Sequence, residues 1–274
     1  MSGEKQKRTE NLQQRYRYAR SQLALKHKTL LAHRLLCYNG ARLHHQEVLT
    51  VRFKRFILAS IAFLIAFCSL SYEFVLCQLL AGLKGNSVLR YSLTTGIYLA
   101  ALGFGSLIHW LRPPQDPDGA FFRLELMLAV SGALVPLIIL VSIPLMGLTD
   151  LFVYTWIVFI GMLSGLEIPI LIQVGERYDA AAGVRLMAWD YIGTFAAAVA
   201  FPILFKVSGL IQMSLLIGLM NLGATALFML VCHRSQPRLL QLLGASVVAS
   251  AFIVALNYEP LIRKLFSRAI YGTL

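Results

Sequence analysis

Seven apolar stretches follow one another between about Phe56 and Tyr258, and that pattern leaves little room for a water-soluble fold. A helix rises about 1.5 Å per residue, so roughly 20 apolar residues cross the hydrocarbon layer of a bilayer. Runs of that length lie near 56–82, 89–111, 122–146, 151–174, 187–207, 210–232 and 239–258. With 58% hydrophobic and 14% charged residues, the composition lies outside the range of an ordinary soluble domain. The expected fold is all-α: a polytopic helical membrane protein of about seven transmembrane helices with a basic N-terminal helical extension. Three regions follow: a leader over 1–55, a membrane domain over 56–258 and a short interfacial tail over 259–274.

Turn chemistry separates the runs at Gly85-Asn86-Ser87, at Arg112 to Gly119, at Gly147 to Asp150, at Ser208-Gly209 and at Arg234 to Arg238. One boundary stays open: Ala180 to Trp189 reads either as an interfacial helix or as the start of the fifth span. Basic residues near span ends set orientation. With the N-terminus cytoplasmic, ten of them, including Arg55, Arg112, Arg123, Arg177 and Arg185, fall on that side and six on the other. The expected location is a cell membrane, the inner one if the source is bacterial, with the N-terminus inside.

Residues 1–55 carry 13 Lys/Arg against three acids, and Leu12, Tyr16, Ala19 and Leu23 fall at helical spacing. A basic amphipathic leader of this kind docks on anionic lipid or on a protein partner; a solvated topology signal is the plainer alternative, and nucleic acid is not expected. The tail reads as an interfacial helix, with Leu261, Leu265 and Phe266 set against Arg263 and Lys264. The four cysteines show no CxxC spacing and read as small reduced core residues.

Four spans carry an acid where hydrocarbon makes one expensive: Glu73, Glu125, Glu167 and Asp190. Snorkelling near the start of the third span is the simple reading of Glu125, and a position at a helix N-terminus that of Asp190. Glu73 and Glu167 resist such readings and point to a cation site or a helix-pairing contact, with Asn221 as a further buried polar candidate. Around Glu167, Gly161 and Gly165 permit close helix approach, while Pro169 leaves the Gly165 carbonyl without its usual donor and introduces a kink. Gly103, in the second span, reads as a packing position. Bases are scarce inside, which favours a cationic ligand or protons over an anion. No phosphate or adenosyl loop, catalytic motif or metal-ligand spacing is present, so neither a cofactor nor a metal is expected.

Several of these residues carry a family resemblance. Ser71-Tyr72-Glu73-Phe74-Val75-Leu76, the stretch from Gly85 to Ser106, Gly161 to Pro169, Ala188-Trp189-Asp190-Tyr191-Ile192-Gly193 and Asn221 resemble the membrane domain of membrane-bound spermidine synthase-like proteins. The resemblance covers about 56–258. In that family a multi-span domain precedes a soluble polyamine aminopropyltransferase domain, whose adenosyl-binding glycines and catalytic aspartate have no counterpart here. The resemblance therefore implies a non-catalytic membrane subunit that anchors or docks a separately encoded partner, either a soluble enzyme such as an aminopropyltransferase or a membrane complex. The alternative is a transporter or channel for polyamines or other cations that uses the intramembrane carboxylates.

The charge asymmetry makes a direct prediction. Single cysteines at position 113 should resist an impermeant thiol reagent applied from outside, while one at position 86 should react; the reverse pattern would invert the orientation.

Overall fold

The computed structural model describes residues 51–83, 85, 87–146, 150–231 and 239–257, with side chains left aside at 141, 143–146, 150 and 239–246. The leader through residue 50, the tail from residue 258, Cys37 and Cys232 lie outside the described residues. Among those residues every regular element is helical: α1 Val51–Leu83, α2 Ser87–Leu111, α3 Pro117–Met146, α4 Asp150–Gly175, α5 Ala182–Val231 and α6 Leu239–Asn257. The all-α membrane fold expected from the sequence is what is found. Five of the helices, α1 to α5, are long and apolar enough to cross a membrane.

At 50 residues, α5 would extend about 75 Å if straight, more than twice the thickness of the hydrocarbon layer. It is not straight. Gly209 has φ 77° and ψ −177°, a left-handed conformation that a side chain would strain, and the chain folds back on itself there. Before the break, Phe201 packs edge-on against Phe74 at 5.2 Å. After it, Ile217 returns to the level of Cys68, and Phe228 reaches Phe121 at 4.5 Å. The stretches expected at 187–207 and 210–232 are thus the two antiparallel halves of α5.

Two boundaries differ from expectation for identifiable reasons. Helix α3 begins at Pro117 rather than near 122, because Asp116 caps it: the Gly119 N–H donates to Asp116 Oδ1 at 3.1 Å, and Pro117 takes the first helical position. Ala180 to Trp189 turns out to be the approach to and first turns of α5, which starts at Ala182. Asp190 therefore lies eight residues inside α5 and does not open it.

Glycines set the closest approach in the bundle. A Cβ on Gly165 would run into the Leu102 carbonyl oxygen, one on Gly105 into that of Met162, and one on Gly161 would sit 2.8 Å from the Ala101 Cβ. Helices α2 and α4 therefore meet backbone to backbone. Gly103 does not take part: it is exposed, and a Cβ there would meet nothing within 4 Å. Positions 103 and 105 point about 200° apart on a helix, so only one of them can face α4. Pro169 sits inside a continuous α4, and the Gly165 carbonyl it deprives of a donor accepts a hydrogen bond from Ser106 Oγ at 2.9 Å. An intrahelical bond has been exchanged for one between helices.

A polar knot closes one end of the bundle. Arg55 of α1 donates twice to the Tyr178 carbonyl, at 3.0 and 2.7 Å, in the turn between α4 and α5. Arg177 pairs with Asp118 at 2.7 Å, and Arg185 pairs with Asp179. The Ala181 N–H, with Arg185 and Arg55, holds the Asp179 carboxyl below the usual aspartate range.

The seam yields a paired prediction. Gly165→Ala should lower stability by about 1–3 kcal/mol, the usual cost of overpacking. Gly103→Ala should leave it unchanged or slightly raised, since alanine is the better helix former. Thermal unfolding of the purified variants in detergent measures both.

Candidate functional site

Helices α1, α2, α4 and the first half of α5 border a cavity of about 480 Å³ that is open where Leu99, Met187 and Tyr191 are exposed, a size typical of small-molecule sites. Leu70, Leu99, Leu102, Ile168 and Ile172 supply apolar wall. Three carboxyl groups from three different helices reach the cavity: Glu73, Glu167 and Asp190. No Lys, Arg or His is among the described residues that line it. The cavity is acidic and uncompensated.

The acids have a simple geometric origin. Glu125 is eight residues from the Pro117 end of α3, Glu167 eight from the Gly175 end of α4, and Asp190 eight from the Ala182 end of α5. These three ends meet at the polar knot, where Arg177 holds Asp118 and Ala182 touches Gly175. The carboxyls thus share one layer, about 12 Å in at 1.5 Å per residue. Glu73 enters from α1 farther from the knot.

Hydroxyl groups line the space between Glu73 and Glu167. Tyr98, 1% exposed, donates to Ser164 Oγ at 2.9 Å and lies 3.0 Å from Ser69 Oγ. Ser69 is one turn before Glu73 and Ser164 nearly one turn before Glu167, so both hydroxyls share a helix face with an acid. Tyr98, Leu102 and Ser106 repeat every four residues along the facing side of α2. The sequence reading missed these hydroxyls, although that spacing was visible.

Glu125 does not snorkel. Its side chain is 0% exposed, because the true start of α3 places it two turns inside the helix. Its neighbour is Glu167 of α4. The Glu125 carboxyl meets that of Glu167 and has no other hydrogen-bond partner among the described residues, and neither amide atom of Asn221, also 0% exposed, has a partner there. The contacts Phe121–Phe228 and Ser214–Ala133 fix the antiparallel register of α3 and the second half of α5. That register sets Glu125 level with the turn from Asn221 to Thr225. Asn221 is not at the cavity but in the adjoining interior. Gly161 lies in the α2–α4 seam, and Gly165 and Pro169 both border the cavity.

Neither His109 nor Arg90, the bases of α2, lines the cavity. His109 contacts Gln173 at 3.3 Å, and Arg90 donates to Tyr154 at 3.2 Å. Among the described residues no group of three or more His, Cys, Asp and Glu could hold a metal ion, and Cys68 and Cys77 are free and buried.

Fold and site together define an all-helical membrane protein with an acid-lined, partly open cavity between its helices. Its curated relatives, as the sequence resemblance implied, are polyamine aminopropyltransferases. The Leptospira interrogans protein is 28% identical over 214 residues, 76% of this chain and 42% of the relative. The Streptomyces coelicolor polyamine aminopropyltransferase 1 is 32% identical over 206 residues, covering 73% and 38%. Polyamine aminopropyltransferase 2 of Ralstonia nicotianae is 32% identical over 174 residues, covering 60% and 33%. The chain thus spans less than half the length of these relatives. No protein-family model matches it, and no solved structure does.

Tyr98→Phe should retain the helical fold but lose about 1–2 kcal/mol of stability, because the buried Ser164 and Ser69 hydroxyls lose their partner. Circular dichroism with thermal unfolding of the two proteins in the same detergent measures this difference.

Proposed function

We propose that the chain is the cation-binding membrane domain of a polyamine system, taking a polyamine into the cavity bounded by Glu73, Glu167 and Asp190. The observation that carries this reading is the cavity itself: three carboxyls and no base on walls that are otherwise largely apolar. A polyamine has the complementary make-up, with ammonium groups spaced along methylene stems. Each ammonium pairs with a carboxylate through a charge-assisted hydrogen bond, and the stems lie on leucine and isoleucine. The name of the relatives supports this choice of cation over others. In this reading all seven apolar helical segments cross the cell membrane, with both halves of α5 counted and the N-terminus cytoplasmic. The knot end of the bundle then faces the cytoplasm.

A second reading is favoured by the relatives' names: the domain docks an aminopropyltransferase and delivers polyamine to it or receives polyamine from it. The basic leader is then the docking element, on anionic lipid or on the enzyme. The two readings are compatible, since a docked enzyme gains from a polyamine site beside it. Anchoring without any ligand is the reading that the cavity argues against.

Equilibrium binding of spermidine to the purified chain in lipid nanodiscs tests the proposal. Glu167→Gln and Asp190→Asn should each weaken binding about ten- to a hundredfold, the worth of one hydrogen bond to a charged group. A wild type that binds neither spermidine nor putrescine above background would leave the anchor as the surviving function.

A further inference from the structure

Glu167 faces more than the cavity. On its other side, in the buried interior, it meets Glu125 of α3, with Cys68 and Tyr72 of α1 nearby. Both Glu125 oxygens are buried and have no hydrogen-bond partner besides Glu167 among the described residues. The Tyr72 hydroxyl, 1% exposed, and the side-chain amide of Asn221 have none there. Buried polar atoms are rarely left in this state, so the interior beside Glu167 has unmet hydrogen-bonding capacity. Glu167 thus lines the cavity on one side and meets Glu125 on the other.

We infer that Glu125 and Glu167 form a proton-holding carboxyl pair, and that binding of a polyamine ammonium at Glu167 expels that proton, making occupation of the cavity proton-coupled. Two carboxylates side by side and away from water repel strongly, whereas one proton shared between them removes a charge and supplies the donor for a carboxyl–carboxylate hydrogen bond. An ammonium arriving in the cavity supplies a positive charge on the other face of Glu167. The pair then no longer needs its proton. The step balances simply: one carboxyl O–H bond breaks, its proton passes to solvent, and the carboxylate left behind pairs with the ammonium.

The groups facing the pair are compatible with this role. From α1 come Cys68 and Tyr72, from α2 Tyr98, and from α5 Asp190. None of them is cationic, so none neutralises the pair in place of a proton. Glu125 itself is walled off from the cavity and touches no ligand there. It is therefore a positioning and proton-holding group, distinct from the carboxyls that bind the cation. The inference rests on the cavity reading but fails separately from it.

The test is proton release on binding. Spermidine is added to the wild-type chain in nanodiscs in weakly buffered solution, with a pH indicator present, and binding is followed in parallel by calorimetry. About one proton per bound spermidine is expected, with affinity rising up to about tenfold per pH unit across the coupling range, as linkage requires. Glu125→Gln should still bind, with proton release lost and affinity flat in pH. Binding without proton release in the wild type overturns the coupling and leaves the cavity site intact. Absence of binding overturns both. The decisive measurement is on the wild type, so a Glu125→Gln protein that fails to fold does not shelter the idea. Release that persists in a folded Glu125→Gln protein also overturns the assignment to the pair.

Discussion

The interior of this bundle is organised by the cost of removing a carboxylate from water. In hydrocarbon or dry protein that cost is several kcal/mol even on lenient scales, and here it arises at Glu73, Glu125 and Glu167 and in part at Asp190, with no buried Lys, Arg or His among the described residues. The fold does not avoid it by pushing the acids to the interface. It gathers three of them into one layer, adds the fourth along α1, and surrounds them with serine and tyrosine hydroxyls. Glu125, Glu167 and Glu73 are all less than 5% exposed. An arrangement that concentrates like charges in this way gains nothing for stability; under the proposed function its rationale is the cation and the proton it would hold.

Much of this was legible in the sequence, and the rest failed for specific reasons. Hydropathy alone marks the helical segments, and Gly209 marks the reversal in α5. Depth was misjudged where a helix begins in polar residues. Asp116-Pro117 is a cap followed by a first-turn proline, but Pro117-Asp118-Gly119 lowers the local hydropathy, so a window placed α3 five residues late and left Glu125 at the surface. The same effect displaced Asp190, because α5 begins in Ala182-Gly183-Val184-Arg185. A hydropathy window reports where hydrocarbon begins, whereas a helix begins where its first N–H groups are capped. The choice between Gly103 and Gly105 was closed to any reading of one helix by itself, since it depends on the direction from which α4 approaches.

The encounter of Glu125 with Glu167 shows a further limit. Helical periodicity gives the height of a residue and its angle about its own axis, but not the angle at which a neighbour presents its own side chains. That the two acids share a height follows from counting once the caps are known. That they face each other depends on the close α2–α4 seam, which turns α4 so that Gly161 and Gly165 meet α2 while Glu167 is left between the cavity and α3.

The cavity walls fall into two stiff pairs. One is α2 with α4, joined by the glycine seam, by Ser106 to the Gly165 carbonyl, and by side-chain contacts near both ends, Arg90–Tyr154 and His109–Gln173. The other is α1 with the first half of α5, where Gly193 lies against the Phe63 carbonyl and Phe74 against Phe201. Polar contacts tie one pair to the other at three heights: Arg55 on the turn at Tyr178 and Asp179 at the knot, Tyr98 on Ser69 farther in, and Cys77 beside Thr95 beyond that. Two stiff bodies fastened at several heights behave as a braced frame, in which rotation about any one joint is resisted by the others. Glu73, one turn beyond Ser69 and one turn before Cys77, sits between two of those joints, so the wall it belongs to is held at a set spacing from α2.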